Sequence, residues 1–316
     1  MVFSLPPYKA GPFRLSKSKD GWTGYLNLLA MQLESLGSLP DFSEDKGVFV
    51  FSDYGGEHPG AAFRTYSFLF VSADKIGCFN EKSRLIRSKF SLGTTEISFK
   101  DINYGPTSRA ITEYLNAANN FLHGILVTVA IDASISTMFG VDKKSGQENL
   151  EKSAAAVGAG KWKYKRLEKM YRIYGPLVLL LDLLCEERHK IFWQSDRDAI
   201  NEDGNGANFK HAQHHLMTML HQYSGKKFEL VGFAKSFEES SYFNDLLSLP
   251  DLAAGMVQDL LRDHYGAKSL EVNEVKASLC RWLASESKFL QKYTLCLTSK
   301  GGSNLLTEVR FDAVQQ

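Results

Sequence analysis

The feature that most constrains this chain is a series of short apolar runs, rich in β-branched and aromatic residues, that end directly on an aspartate. These aspartates are Asp53, Asp132 and Asp196. Runs of this length and composition, separated by segments with a helical spacing of apolar residues, predict strands that alternate with helices. This order is typical of an α/β fold with one mixed sheet, in which ligand sites form at the carboxyl ends of strands.

The pattern along the chain predicts the positions of the individual elements. Strands are expected at residues 47–52, 62–72, 125–131, 191–195 and 228–234, and residues 97–102 are either a weaker strand or a strand-to-helix junction. Helices are expected at 22–36, 106–122, 161–189, 209–223, 242–265 and 273–293, with interruptions at Pro176 and Pro250. Polar or small residues indicate loops at 82–89, 140–160 and 201–208. The predicted organisation is an N-terminal extension with a helix (1–45), a central α/β domain (46–265) and a C-terminal helical extension (266–316).

Charge and cysteine content limit the class of protein. The chain has 316 residues, and its 37 basic and 36 acidic side chains give a net charge of +1. This balance excludes a global attraction to nucleic acid or to anionic membranes, so electrostatic binding requires a local patch. The four cysteines are scattered without a C-x-x-C motif, and the longest apolar run is far below the ~20 residues of a membrane span. Without a secretory signal pattern either, we expect a soluble, cytoplasmic protein that does not contact membranes.

The strand-end aspartates have two interpretations. Carboxylates gathered at one edge of a sheet repel one another unless cations neutralise them. Oxygen ligands with few histidines favour Mg²⁺ or Mn²⁺, and two such ions about 4 Å apart are suited to phosphodiester cleavage. Convergence of the aspartates would therefore predict a divalent-cation site. The alternative is that each aspartate is a turn residue or a helix cap.

Three segments resemble the motifs of a known group of proteins. Residues 48–56 (VFVFSDYGG) correspond to a strand that leads into D-E-S-G, 96–100 (EISFK) to an E-I-K-W-S-like segment, and 247–255 (LSLPDLAAG) to a helix with L-Q-L-A-D-L-x-A-G. Over residues 46–265 the chain resembles a large group of uncharacterised, mostly bacterial proteins with a domain of unknown function. The resemblance implies a ribonuclease H-like mixed sheet flanked by helices.

The same resemblance implies roles for individual residues. Carried over position by position, it makes Asp53, Glu96 and Asp251 metal ligands and catalytic acids. Asp132 or Asp196 would supply the remaining acid, and the sequence leaves both open. The implied cofactor is Mg²⁺ or Mn²⁺, held by these carboxylates. Lys100, at the end of the second motif, would contact a phosphate of the substrate.

A local basic run is the strongest candidate for nucleic-acid binding outside these motifs. Its cations are Lys161, Lys163, Lys165 and Arg166, with Trp162, Tyr164, Tyr171 and Tyr174 in or just after the run. Cations that meet phosphates and aromatic rings that stack on bases are the usual components of a single-strand binding surface. The alternative is an amphipathic helix with a solvated basic face, whose aromatic side chains point into the core.

Together these features predict a metal-dependent nuclease that hydrolyses phosphodiester bonds of DNA or RNA. The chain departs from the family motifs at Tyr54, Ser98 and Pro250. These departures favour an alternative in which a catalytically inactive protein keeps the ribonuclease H-like fold and serves as a binding or scaffold protein. In a further alternative, the aromatic-rich N-terminal extension is the contact surface of a homo-oligomer or of a larger complex.

Overall fold

The computed structural model describes residues 8–140, 142–196, 198, 200, 207–235, 242–266 and 270–311. The strands are β1 (Tyr8–Ala10), β2 (Ser38–Pro40), β3 (Gly47–Gly55), β4 (Phe63–Ser72), β5 (Gly124–Asp132), β6 (Lys190–Ser195), β7 (Leu230–Lys235), β8 (Leu290–Lys300) and β9 (Ser303–Val309). The helices are α1 (Gly24–Glu34), α2 (Gly77–Lys89), α3 (Gly105–Phe121), α4 (Lys143–Ala156), α5 (Tyr164–Leu184), α6 (Phe209–Tyr223), α7 (Tyr242–His264) and α8 (Glu274–Ala284). A single 3-10 turn covers Phe99–Asp101.

Seven of the strands form one mixed sheet in the order β7-β6-β3-β4-β5-β8-β9. Strands β3, β4 and β5 are antiparallel neighbours, and β6 and β7 extend the sheet parallel to β3. On the other side β8 is parallel to β5, and β9 returns antiparallel to β8. The strands β3, β5, β6, β7 and β8 therefore run in the same direction, and their carboxyl ends lie at one edge of the sheet. The predicted α/β class and mixed sheet are confirmed.

Helices cover both faces of this sheet. The core on one face includes side chains of α1, α5 and α6, and the core on the other face includes side chains of α2, α3, α7 and α8. Successive residues of a strand point to opposite faces. Accordingly Val48 and Val50 pack in the first core, and Phe49 and Phe51 pack in the second. By the same alternation Asp53 lies on the α7 face, and its neighbour Tyr54 lies on the α5 face. No helix in the described ranges is both long and apolar enough to cross a membrane.

Several predicted elements are corrected by the structure. Residues 97–102 do not form a strand, because they connect α2 to α3 through the 3-10 turn. Residues 82–89 belong to α2, and the segment predicted as a loop at 140–160 contains α4. Helix α4 begins in a capping box, in which the Asp142 carboxylate accepts a hydrogen bond from the Ser145 N–H and the Ser145 hydroxyl bonds back to the Asp142 backbone. The loop prediction at 201–206 lies outside the described residues.

The C-terminal region is not the helical extension that the sequence predicts. Helix α8 ends at Ala284, and β8 and β9 then complete the large sheet. A helix is predicted as far as Tyr293 because the apolar residues at 279–293 also fit a helical spacing. The polar residues 285–288 end the helix, and the alternation of Thr294, Leu295 and Cys296 fits a strand that pairs with β5.

Helix α5 continues through Pro176, where the sequence predicts a break. Proline has no backbone N–H, so the carbonyl four residues earlier, that of Arg172, loses its helical partner. The hydroxyl of Tyr25 in α1 donates to this Arg172 carbonyl at 3.3 Å. A buried tyrosine from a neighbouring helix therefore replaces the hydrogen bond that the proline removes.

Replacement of Tyr25 by phenylalanine is expected to lower the free energy of unfolding by about 1–3 kcal/mol, because a buried carbonyl would lose its last donor. Tyr293→Phe is the matched control, since this half-buried hydroxyl also donates to a backbone carbonyl, that of Ser38, at 3.3 Å. We expect Tyr293→Phe to lower the free energy of unfolding by less, because water can reach the Ser38 carbonyl that this variant leaves free. Urea denaturation of both variants measures the difference, and equal effects would contradict this role of Tyr25.

Candidate functional site

The sheet register places two of the strand-end aspartates side by side. Ser52 of β3 is the register partner of Ser195, the last residue of β6. The N–H of Asp196 donates to the Ser52 carbonyl at 3.1 Å, so the chain directly after β6 still follows β3. Asp53 and Asp196 therefore lie on adjacent strands at the carboxyl edge of the sheet. The carboxylate of Asp196 is close enough to raise the pKa of Asp53.

Helix α7 brings a third acid to the same place. The carboxyl groups of Asp251 and Asp53 lie close enough for each to shift the pKa of the other. The backbone N–H of Phe99 donates to Oδ2 of Asp251 at 2.6 Å, and this bond fixes the connection between α2 and α3 against α7. The same connection carries Glu96, an exposed residue whose charge also acts on Asp251. Asp53, Glu96, Asp196 and Asp251 thus form one carboxylate cluster.

The two motifs at 96–100 and 247–255 meet through Phe99 and Gly255. One helical turn after Asp251, the backbone of Gly255 passes directly under the Phe99 ring. A Cβ atom at Gly255 would lie 2.2 Å from Cγ and Cδ1 of that ring, well inside van der Waals contact. The glycine therefore allows the ring to rest on the helix, and Phe99 can then place its N–H on Asp251.

Burial and mutual repulsion shift the titration of these two neighbouring acids. Burial, followed by the charges of Asp251 and Asp196, raises the pKa of Asp53 well above its usual range. Burial is also the largest cause that raises the pKa of Asp251 to about 6; the Phe99 N–H opposes this rise, and Glu96 and Asp196 add to it. Both carboxyl groups therefore keep their protons to a higher pH than an exposed aspartate does.

Stability without added metal is expected to decrease as the pH rises from about 4 to about 6. The folded-state pKa of Asp251 is raised, so the native state holds a proton that the unfolded chain has already lost in this range. Ionisation of Asp251 in the native state then costs about 2–3 kcal/mol. Asp251→Asn should remove this part of the dependence and leave the part that comes from the buried Asp53. Urea denaturation in EDTA between pH 4 and 7.5 tests this, and an unchanged pH profile in the variant would contradict it.

Asp132, the other sequence candidate for the remaining acid, lies away from the cluster. Asp53 is opposite Ser67 of β4, and Ser67 is opposite Thr128 of β5. Asp132 is four residues further along β5, about 13 Å from that level at the usual rise of a strand. Its Oδ1 accepts the N–H of Ser134 at 2.8 Å, the arrangement of a turn aspartate. The structure thus brings Asp196, and not Asp132, to Asp53, Glu96 and Asp251.

The basic candidates divide into two groups. Lys100 is exposed and directly follows Phe99, so it lies beside the carboxylate cluster. Lys161 and Lys163 are exposed before the start of α5, whereas Lys165 and Arg166 line a cavity on the α5 face of the sheet. The aromatic side chains Trp162, Tyr171 and Tyr174 are buried in the core. The prediction that these three rings stack on bases is therefore wrong. For them the alternative is confirmed, in which the aromatic side chains point into the core.

An ion-pair network beside Asp53 was missed by the sequence analysis. Lys169 of α5 forms salt bridges with Glu57 and Asp198, and its Nζ atom lies 5.1 Å from the centre of the Tyr54 ring. Lys169 is only 9% exposed, and a buried cation requires such partners. The sequence signal for this network is Lys169 itself, a lysine on an otherwise apolar helix face. Such a lysine predicts a buried acidic partner, but the sequence does not identify that partner.

Comparisons with known proteins do not identify the site: no protein-family model matches the chain, and no curated protein matches it. Its chemistry must be inferred from its own residues. Within the described ranges, no three histidine, cysteine, aspartate or glutamate side chains are grouped closely enough to hold a metal ion as they stand. The donor set itself consists of carboxylates alone, which suits hard divalent cations such as Mg²⁺ and Mn²⁺. The chemistry of these donors is therefore compatible with such a cation, but the described side chains do not form a ready site for one.

Proposed function

We propose that this protein is a metal-dependent phosphodiester hydrolase that acts on nucleic acid and has a ribonuclease H-like fold. The observation that carries the proposal is the close approach of two buried carboxyl groups, those of Asp53 and Asp251, with Asp196 and Glu96 within electrostatic reach. The fold assignment is supported by the antiparallel meander β3-β4-β5, which β6 and β7 extend parallel to β3. The site lies at the carboxyl ends of strands, where open α/β sheets bind ligands.

Each residue of the cluster has a distinct part in the proposed reaction. Asp53 and Asp251 would hold a divalent cation in their ionised forms, and Asp196 and Glu96 would complete its carboxylate ligands. The chemistry that such a cation supplies when bound is activation of water and neutralisation of charge on the phosphate. The Phe99 N–H keeps Asp251 oriented, and Lys100, exposed on the adjacent turn, is placed to contact a phosphate of the substrate.

The departures from the family motifs leave this donor set intact. Tyr54, at the second acidic position of the first motif, lies on the α5 face, where its hydroxyl shares hydrogen bonds with Ser52 and Ser195. Ser98 donates to Asp101 at 3.0 Å, and Pro250 is accommodated inside α7. None of these residues takes the place of Asp53, Glu96, Asp196 or Asp251. The departures alone therefore do not favour an inactive protein.

One observation does favour the second candidate, a catalytically inactive binding or scaffold protein. In the described part of the chain, no three acidic side chains are grouped closely enough to be ready ligands of a metal ion. A protein that had lost metal chemistry could retain the buried Asp53 and Asp251 without binding a cation.

Cleavage assays separate the two candidates. Fluorescently labelled single-stranded and duplex DNA and RNA are incubated with the full chain in Mg²⁺, in Mn²⁺ or in EDTA. The hydrolase is expected to cleave at least one substrate with a cation and none in EDTA. No cleavage of any substrate, together with no heat of Mn²⁺ binding in calorimetry, would reject the hydrolase and leave the binding protein.

A further inference from the structure

A basic cavity of about 450 Å³ lies on the α5 face of the sheet, opposite the carboxylate cluster. Its walls come from the start of β4, the segment after β5, and the first turns of α4 and α5. Two tyrosines, Tyr66 and Tyr164, form part of the lining. The cationic lining residues are Arg64, Lys143, Lys165, Arg166, Lys169 and Arg172.

Most of this positive charge has no salt-bridge partner among the described residues. Lys169 is paired with Glu57 and Asp198, and Arg172 is paired with Glu168. The other four cations, Arg64, Lys143, Lys165 and Arg166, form no salt bridge within the described ranges. Several uncompensated cations around one cavity repel one another, and an anion in the cavity would relieve this repulsion.

Helix geometry adds to the excess of positive potential. Lys143 is the first residue of α4, and Lys165 and Arg166 are in the first turn of α5. The amino end of a helix carries a partial positive charge, so acidic residues are favourable there and cations are not. The Asp142 carboxylate caps the amino end of α4, whereas the first turn of α5 has no acidic residue. The two cations of α5 therefore work against helix stability, and a bound anion would offset that cost.

A buried donor in the cavity wall also lacks a partner. Arg172 is 1% exposed, donates to Glu168 and to the carbonyl of Ile135, and lies beside the Tyr66 hydroxyl. Its buried Nη1 atom has no hydrogen-bond partner among the described residues. Buried donors are normally satisfied, which distinguishes Arg172 from the exposed cations of the lining.

We infer that this cavity binds a phosphate group of a nucleic-acid strand whose scissile bond lies at the carboxylate cluster. The choice of a strand rests on the proposed function and on proximity. Asp198, the ion-pair partner of Lys169 in the cavity wall, also acts electrostatically on Asp53. Asp53 and Tyr54 are consecutive residues on opposite faces of β3, and Lys169 lies against the Tyr54 ring. A strand that crosses the edge of the sheet at the end of β3 therefore reaches both sites.

Binding experiments with charge-matched variants test the inference. Lys143→Gln/Lys165→Gln removes two exposed cations from the cavity, and Lys144→Gln/Lys152→Gln removes two exposed cations of α4 that do not line it. Both double variants change the net charge equally, and all four side chains are exposed, so folding should be unaffected. The affinity of the full chain for a labelled 12-nucleotide DNA strand is measured in EDTA over a range of salt concentrations. Adenosine monophosphate is titrated in parallel as a free phosphate source.

The cavity variant is expected to bind the strand about tenfold more weakly than the control variant at low salt, because each charge-assisted contact to phosphate contributes substantially. For this variant, the slope of the logarithm of affinity against the logarithm of salt concentration should also decrease in magnitude by about one. Equal affinities of the two variants would overturn the inference. If the cavity variant lost affinity for adenosine monophosphate but not for the DNA strand, the inference that the cavity binds a phosphate of a nucleic-acid strand would be overturned. Neither result depends on cleavage, so failure here is distinguishable from failure of the proposed hydrolase.

Discussion

Replacement of Asp53 by asparagine is expected to reduce cation-dependent cleavage by about a thousandfold, which corresponds to about 4 kcal/mol in the activation barrier. Asp53 lies at the centre of the carboxylate cluster, where the charges of Asp251 and Asp196 both act on it. Asparagine has nearly the same shape, but it cannot supply the negative charge that a divalent cation requires. The measurement is the initial rate with the best substrate in Mn²⁺, compared with the rate of wild-type protein.

The matched control is Asp132→Asn. This residue is also an aspartate at the end of a strand, and its replacement changes the net charge equally, but it lies about 13 Å further along the sheet. We expect the control to retain wild-type activity. Cleavage that survives in Asp53→Asn, or that is lost equally in both variants, would place the reaction elsewhere.

Stability measurements separate loss of chemistry from loss of folding. Burial and neighbouring carboxylates raise the pKa of Asp53, so its ionised form is disfavoured in the fold. A neutral asparagine removes this electrostatic cost, and Asp53→Asn should unfold in EDTA at the same temperature as wild type or higher. Addition of Mn²⁺ should stabilise the wild type and leave the variant unchanged, because only the wild type binds the ion. A marked destabilisation of the variant in EDTA would contradict this electrostatic picture.

The composition of the carboxylate cluster shows what sequence reasoning can and cannot provide. Asp53 and Asp251 could be selected because each belongs to a local motif, a strand end in one case and a D-L-x-A-G helix in the other. The choice between Asp132 and Asp196 depends on strand order and register, which arise from packing between distant segments. Both residues follow convincing strands, and only the pairing of β6 with β3 brings Asp196 to the cluster.

The basic cavity also depends on packing between distant segments, and to a greater extent than the carboxylate cluster does. Its unpaired cations come from β4, α4 and α5, and Arg64 and Lys165 are about a hundred residues apart in the chain. The sequence singles out Lys165 and Arg166 because they lie in a run with other cations. The preceding segment 140–160 is predicted as a loop, because its small and polar residues resemble a turn-rich connection. The burial of Leu150 and Ala154 against α5 stabilises α4 there and places Lys143 at the cavity.

The contact between Gly255 and Phe99 gives the second large expected effect. Gly255→Ala would place a Cβ atom 2.2 Å from two atoms of the Phe99 ring, so the ring must move by more than 1 Å. This displacement would also pull the Phe99 N–H from Asp251, which it now contacts at 2.6 Å. We expect the free energy of unfolding to fall by about 2–3 kcal/mol, from overpacking and from the weakened bond to the carboxylate. Urea denaturation measures the loss.

A double-mutant cycle with Phe99→Ala makes this prediction specific. Once the ring is absent, alanine at position 255 meets no obstacle and gains up to about 1 kcal/mol in helix propensity over glycine. The effect of Gly255→Ala should therefore change sign, from destabilising in the wild type to neutral or stabilising in Phe99→Ala. Gly77→Ala at the start of α2, where no atom lies within 4 Å of the new Cβ, is the control and should cost nothing. If Gly255→Ala destabilised both backgrounds equally, the two motifs would not be coupled through this ring, and the orientation of Asp251 would need another cause.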